Sequence, residues 1–228
     1  MKYTILHVND RAKDLIAQNK EVLKNFKYID SISFFNGNID NPWDELAFRG
    51  IDVSSWKPYD GRKSGPLPGE LGIWISYLNI FEYIVKTNTE HLLVVEDDVK
   101  IKRGVVPNLY SLMKELPEGW DFLSLHYNDE QNKLTSESNI GSNKIHKSIN
   151  QPSSTVAIIY SNSFAIKFLK IVVEKGIEYT VDCFLHNQAK LGLLNGYSVI
   201  PSSSKIIFHL GDNKTIKSVI DPDTLRSA

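Results

Sequence analysis

The sequence predicts an α/β protein, a single domain on a mixed, mostly parallel central sheet flanked by helices. Three observations carry this. The chain opens as strand, helix, strand, an order that favours parallel neighbours in one sheet. A long helix with an apolar face runs into the apolar strand Leu92 to Val95. Strand and helix patterns then alternate through the rest of a 228-residue chain, a length that one domain with its own core can occupy.

Tyr3 to Val8 is rich in strand formers and closes on Asn9-Asp10-Arg11. Ala12, Leu15, Ile16, Val22, Leu23 and Phe26 follow at close to helical spacing. Ile29 to Phe35 reads as a second strand, closed by the turn formers Asn36-Gly37-Asn38. Residues 38–68 read as irregular, with Pro42, Pro58, Gly61, Gly65, Pro66 and Pro68. From Glu70 to Lys86, Leu71, Trp74, Ile75, Leu78, Phe81, Ile84 and Val85 mark one apolar helix face.

Pro107 to Glu115 reads as a helix with proline near its first turn, and Phe122 to Leu125 as a short strand. Asn128 to Ser154 is polar and too long for a plain connection in a compact domain. Within it, "LTSESNIGSNKIHKSI" fits a hairpin turning near Gly141. A strand at Val156 to Tyr160, helices at Phe164 to Glu174 and Val181 to Leu191, and strands at Tyr197 to Ile200 and Ile206 to Phe208 complete the order. The polar last 17 residues are expected to wrap the surface.

A net charge of −1 gives no footprint for strong nucleic-acid binding. The single Cys183 excludes an internal disulfide framework and fits a reducing compartment. The apolar start of "MKYTILHVNDR" is too short for a signal-peptide core or a membrane span. The expectation is a cytoplasmic protein whose membrane contact, where it has any, is peripheral.

The chemistry concentrates in "EHLLVVEDDVKIKRG", where four apolar residues run into Glu96, Asp97 and Asp98. Ligands of open α/β sheets sit beyond the carboxyl ends of strands, where this triplet falls. Alternation along an extended backbone would point Glu96 and Asp98 one way and Asp97 the other. Hard oxygens at this spacing suit Mn²⁺ or Mg²⁺, with a phosphate filling further positions. The plainer reading is a solvated strand end whose acids cap the following turn. No Walker-type or Gly-x-Gly-x-x-Gly loop is present, so a P-loop or dinucleotide site has little support.

"PGELGIWISYLNIFEYIV" followed by "HLLVVEDDV" resembles the signature of glycosyltransferase family 25, in which a Gly-Glu-x-Gly turn opens a helix and an apolar strand ends in Glu-Asp-Asp. Gly69, Glu70, Gly72, Ser76, Glu96, Asp97 and Asp98 carry the likeness, and Tyr77 stands where that family usually has histidine. "TVAIIYSNSFAIKFL", "YTVDCFLHNQ" and "YSVIP" extend it more weakly to about residue 201.

The resemblance implies a GT-A-like fold, with a nucleotide-sugar-binding half at 1–100 and an acceptor-side half with the tail at 101–228. It implies a UDP-sugar donor and a Mn²⁺ or Mg²⁺ ion bridging acids to diphosphate. Asp98 and Glu96 are then metal ligands, and Glu96 or Asp97 holds the ribose or a metal-bound water. Val8, Asn9 and Arg11, in the segment similar to the family's opening strand, and Ser76 in the helix, become donor contacts. The implied reaction is inverting transfer of galactose or glucose to a hydroxyl of a glycan such as lipopolysaccharide. Alternative acceptors are a modified DNA base or a protein hydroxylysine. Outside the class, a metal phosphoesterase or a non-catalytic sugar-binding module would also use such acids.

His209, after the last strand, is a candidate third metal ligand, with Asp212 beside it; a strand-end histidine bonded to backbone is the alternative. Asp182 matches the family's Val-Asp element and is the candidate base for the acceptor hydroxyl. It also fits a first-turn acid on a helix whose N-cap is Thr180. His186, four residues on, shares its helix face but makes only a weak metal pair with it. His126 reads as a packing residue. Trp43 and Trp56 are candidate sugar platforms, whereas Trp74 and Phe81 read as core. Lys63-Ser64-Gly65 could offer a cation to the diphosphate, or be a plain surface turn.

Overall fold

Side chains alternate across a strand, and β3 (His91–Glu96) uses both of its faces. Leu92 and Val94 pack into one hydrophobic cluster and Leu93 and Val95 into another. A strand apolar on both sides needs cover on both sides, so the molecule is layered around it. In the computed structural model the described residues are 1–7, 12–30, 41–57, 65–126, 139–140, 145–147, 155–199 and 207–209, with the backbone alone at 139, 140, 146 and 207–209.

The chain runs β1 (Lys2–Leu6), α1 (Lys13–Val22), β2 (Lys27–Tyr28), α2 (Pro42–Phe48), α3 (Pro68–Lys86), β3, β4 (Val99–Ile101), α4 (Val105–Glu115) and β5 (Phe122–Ser124). It continues through β6 (Asn139–Ile140), β7 (Ile145–Lys147), β8 (Ala157–Ser161), α5 (Asn162–Lys175), α6 (Val181–Lys190), β9 (Gly196–Val199) and β10 (Ile207–His209).

The main sheet has eight strands in the order β2-β1-β3-β8-β5-β9-β7-β6. β2, β1, β3, β5, β9 and β6 run one way, and β8 and β7 run against them. The expected mixed α/β architecture is present, and both halves of the chain contribute strands to one sheet. The hairpin expected near Gly141 is the β6–β7 pair, with its turn outside the described residues. Where a strand is expected at Ile29 to Phe35, residues 29 and 30 are not strand and residues 31–35 lie outside the described residues; the two-residue β2 precedes them. Among the described residues no helix is long and apolar enough to cross a membrane.

Two elements depart from the sequence expectation. The segment taken as irregular contains α2, whose Asn41 side chain accepts from the backbone N–H of Trp43 and Asp44, with Pro42 opening the helix. The second is β4, a three-residue strand paired antiparallel with β10. Its other edge is taken by Asn19 of α1, which is 1% exposed. The Asn19 Nδ2 donates to the Val99 carbonyl at 2.6 Å, and its Oδ1 accepts from the Ile101 N–H at 3.0 Å. One amide thus completes the edge as a third strand would.

Asn19→Ala leaves a buried carbonyl and a buried N–H without partners, each costing roughly 1–3 kcal/mol. Urea denaturation of this variant should show a loss of about 2–4 kcal/mol, against less than about 0.5 kcal/mol for an exposed α1 substitution such as Gln18→Ala.

Candidate active site

The acidic tip forms where β3 ends. The strand stops at Glu96, and Asp97 and Asp98 make the turn into β4. Strand alternation therefore does not extend to Asp98, and the expected shared direction of Glu96 and Asp98 loses its backbone basis. Glu96 continues the Leu92–Val94 face, the one covered by α3, α5 and α6. Asp97 is 5% exposed and Asp98 half-buried, so the triplet is not a freely solvated strand end.

Glu96 is fixed by the neighbouring strand. Its backbone N–H donates to the Val156 carbonyl at 2.9 Å. Its Oε1 accepts from the Thr155 hydroxyl at 2.6 Å, a short charge-assisted bond. The Tyr77 hydroxyl in turn reaches the Thr155 carbonyl at 3.4 Å. Tyr77 and Tyr160, both 0% exposed, pack edge to face with centroids 6.2 Å apart.

Asp182 lies in the first turn of α6, which packs on that same face. Thr180 occupies the N-cap position, but its side chain does not cap the helix. Its hydroxyl instead donates to Asp182 Oδ1 at 2.5 Å, and the Cys183 N–H donates to the same oxygen at 2.8 Å. Among the described residues both of these donors sit on Oδ1, which leaves Oδ2 outside the clamp.

The charges of Glu96 and Asp182 both act on the two phenols. Burial pushes the Tyr77 hydroxyl well above the ordinary phenol range, and the negative charges of Glu96 and Asp182 push it further. Tyr160 is raised by burial first, then by Tyr77, Glu96 and Asp182. Charges act this way only at short range or through a dry medium. Two carboxylates from opposite halves of the chain thus act on the same pair of buried hydroxyls.

The other candidates separate. Ser76 is buried, and its hydroxyl donates to the Gly72 carbonyl within α3. Glu70 of the Gly-Glu-x-Gly turn accepts from the Leu67 N–H at 2.8 Å and so caps α3. His186 is half-buried, lowered by burial and then by Lys190, which keeps its imidazole neutral. Trp56 packs against the main core cluster, while Trp43 is exposed on α2. His126 follows β5, where its carbonyl accepts from the Ser124 hydroxyl. The His209 backbone lies opposite Val99, one residue past Asp98; its side chain lies outside the described residues, as do Val8, Asn9, Arg11, Lys63, Ser64 and Asp212. Among the described residues no group of three or more His, Cys, Asp and Glu forms a metal cage.

Thr155 and Tyr160 are the site residues that sequence patterns did not single out. A threonine at the start of an apolar strand carries no local signal; its partner is 59 residues away.

The model of "Glycosyltransferase family 25 (LPS biosynthesis protein)" matches residues 10–185, well over half of the chain. The chain belongs to glycosyltransferase family 25, and it is a glycosyltransferase with a mixed α/β fold. No curated protein matches it by sequence.

Among solved structures, A197 from STIV is similar at 9% identity over 86% of this chain and 80% of that one, with a TM-score of 0.44. Galactosyltransferase LgtC with donor and acceptor sugar analogs is similar at 12% identity, covering 86% and 73%, with a TM-score of 0.42. A glycosyltransferase involved in glycosylation of the major capsid of PBCV-1 gives 13% identity, 76% and 64% coverage and a TM-score of 0.37.

The raised phenols give a prediction about alkaline stability. Above the ordinary tyrosine value of 10.0 the unfolded chain loses protons that the folded chain keeps, so stability falls as pH rises. Each phenol should contribute a slope of about 1.4 kcal/mol per pH unit there. Denaturation between pH 9 and 11 (about one unit either side of the ordinary value) should show this slope in wild type and a flatter one in Tyr77→Phe.

Proposed function

We propose that the protein transfers a hexose, galactose or glucose, from a UDP-sugar to a hydroxyl of a glycan acceptor such as lipopolysaccharide, with inversion and with a divalent metal. The observation that carries this is the acidic tip of β3, with Glu96 fixed by the Thr155 hydroxyl on the face that α6 also packs against, Asp182 lying in the first turn of that helix. One carboxylate stands at the strand tip expected of a donor site, and the other in a helix expected on the acceptor side.

The donor set fits a hard dication. Mg²⁺-type sites commonly take one or two carboxylates from the protein and further oxygens from substrate phosphates and water. Asp98 and Glu96 are the proposed protein ligands, with His209, whose backbone lies opposite Val99, as the third. When bound, such an ion neutralises charge on the departing diphosphate as a Lewis acid. Glu96 or Asp97 is proposed to hold the ribose or a metal-bound water, and Val8, Asn9, Arg11 and Ser76 remain the proposed donor-side set.

Asp182 is the proposed base. It takes the proton of the acceptor hydroxyl as that oxygen bonds to the anomeric carbon and the bond to the diphosphate breaks. The Thr180 and Cys183 donors hold Oδ1, so Oδ2 is the oxygen assigned to the proton. Residues 1–100 then serve the donor and 101–228 the acceptor within one domain, in a cytoplasmic protein.

Thermal-shift and transfer assays with UDP-hexoses, with and without Mn²⁺, test this. Wild type should be stabilised only when both are present, and EDTA should abolish transfer. Asp98→Ala should lose the shift. Asp182→Asn should keep it while transfer falls at least ~100-fold, the lower range for loss of a general base. A shift without turnover on any acceptor would identify a binding module instead.

A further inference from the structure

The bond between Thr155 and Glu96 has consequences for the donor site. β8 runs antiparallel to β3, with Val95 opposite Ala157, so the start of β8 arrives where β3 ends. The last rung places the Val156 carbonyl on the Glu96 N–H. The preceding residue, Thr155, is 8% exposed and donates its hydroxyl to Glu96 Oε1. A β-branched side chain has few rotamers, so this hydroxyl is aimed before any ligand arrives. Tyr77 secures the Thr155 backbone from below through its carbonyl, and the Tyr77 ring is itself wedged between Phe81 and Tyr160.

We propose that Thr155 is a positioning residue of the donor site: its hydroxyl locks the Glu96 carboxylate in the orientation that receives the nucleoside diphosphate and its metal, and Tyr77 holds Thr155 in register. This deepens, and rests on, the assignment of the acidic tip as the donor site. A glutamate has several freely rotating bonds that a ligand must otherwise order on binding, and a carboxylate ordered in advance spares that cost. Thr155 touches neither reacting atom, so its loss should act on donor binding more than on the chemical step.

The test is calorimetric titration of the full chain with UDP and Mn²⁺, alongside steady-state transfer. Thr155→Val keeps the shape and removes the hydroxyl. It should weaken UDP–Mn²⁺ binding about tenfold, a typical loss for one charge-assisted bond, raise the KM for the donor similarly, and leave kcat within about twofold. Thr155→Ser should recover most of the affinity. In a Glu96→Gln background Thr155→Val should add no further loss, because the two act as one unit. Tyr77→Phe, which keeps the ring, gives an independent arm should Thr155→Val fold poorly: a smaller loss of affinity, absent again when Glu96 is Gln.

If wild type binds UDP–Mn²⁺ and Thr155→Val binds it equally well, the positioning role is overturned while the donor site stands. Losses that multiply between Thr155→Val and Glu96→Gln overturn it too. If wild type binds no UDP in the presence of Mn²⁺, the donor-site assignment falls and this role falls with it.

Discussion

Three adjacent carboxylates cannot share one environment without repulsion unless positive charge joins them, and the fold fixes where each leaves the end of β3. β3 delivers Glu96 to the face covered by α3, α5 and α6, then stops, so that Asp97 and Asp98 leave along a turn. The direction of the turn is set by β4, held on one edge by Asn19 and on the other by β10. Glu96 is held from the opposite side by β8, whose antiparallel course makes its first residues neighbours of the last of β3. A parallel strand in that position would have brought its far end there, and Thr155 would be at the other edge of the sheet.

The second carboxylate depends on a different kind of contact. Asp182 enters on α6, whose Phe184 packs against Trp74 of α3 and Phe168 of α5 at centroid distances of 5.1 and 5.6 Å. Phe81 touches Tyr160, Phe164 and Phe168 within 5.0 Å, so the rings form one continuous floor. Such aromatic pairs add specific geometry to simple burial. Trp74 also donates its indole N–H to the Tyr179 carbonyl at 2.8 Å, three residues before Asp182. The approach to α6 is strapped from outside by the Ile177 N–H on the Asp52 carbonyl and the Lys57 N–H on that of Glu178. Gly176 allows the first of these: its φ is +74°, and a Cβ there would lie 2.5 Å from the Asp52 carbonyl oxygen. The distance between the two carboxylates is thus a property of packed rings and backbone straps.

Long periodic segments were readable from sequence because they report their own environment. The apolar face of α3 and the two-sided apolarity of β3 each name a layer before any partner is known, and the layered α/β fold follows. α2 was missed although Asn41, Pro42, Asp44 and Glu45 form a usable helix-start signal; a turn-rich context hid it. β4 was missed because three residues, one of them Lys100, make too short a pattern, and its existence depends on Asn19 and β10, both distant in sequence. At the site, acids announced themselves by type. Their supporting hydroxyls did not, since Thr155 acquires meaning through Glu96, 59 positions away, and Tyr160 through Tyr77, Glu96 and Asp182 on other elements. Tyr77 was visible as a substitution of a motif position, but its contact with Thr155 required the strand order.

The phenols also bear on how charge is balanced. A hydroxyl kept neutral by burial and by two nearby carboxylates offers a dipole and no net charge. Such a floor can orient Glu96 and Asp182, but it cannot neutralise them. An incoming nucleoside diphosphate is itself anionic, so its approach to this tip is opposed unless positive charge accompanies it. The dication proposed for Asp98 and Glu96 would supply that positive charge, with Arg11 as a second proposed source. The proposed base would avoid the same difficulty, since the group it is proposed to meet is an uncharged hydroxyl. Separate placement of the two carboxylates, one toward the anion and one toward the nucleophile, is therefore the division of labour that a transfer between them requires.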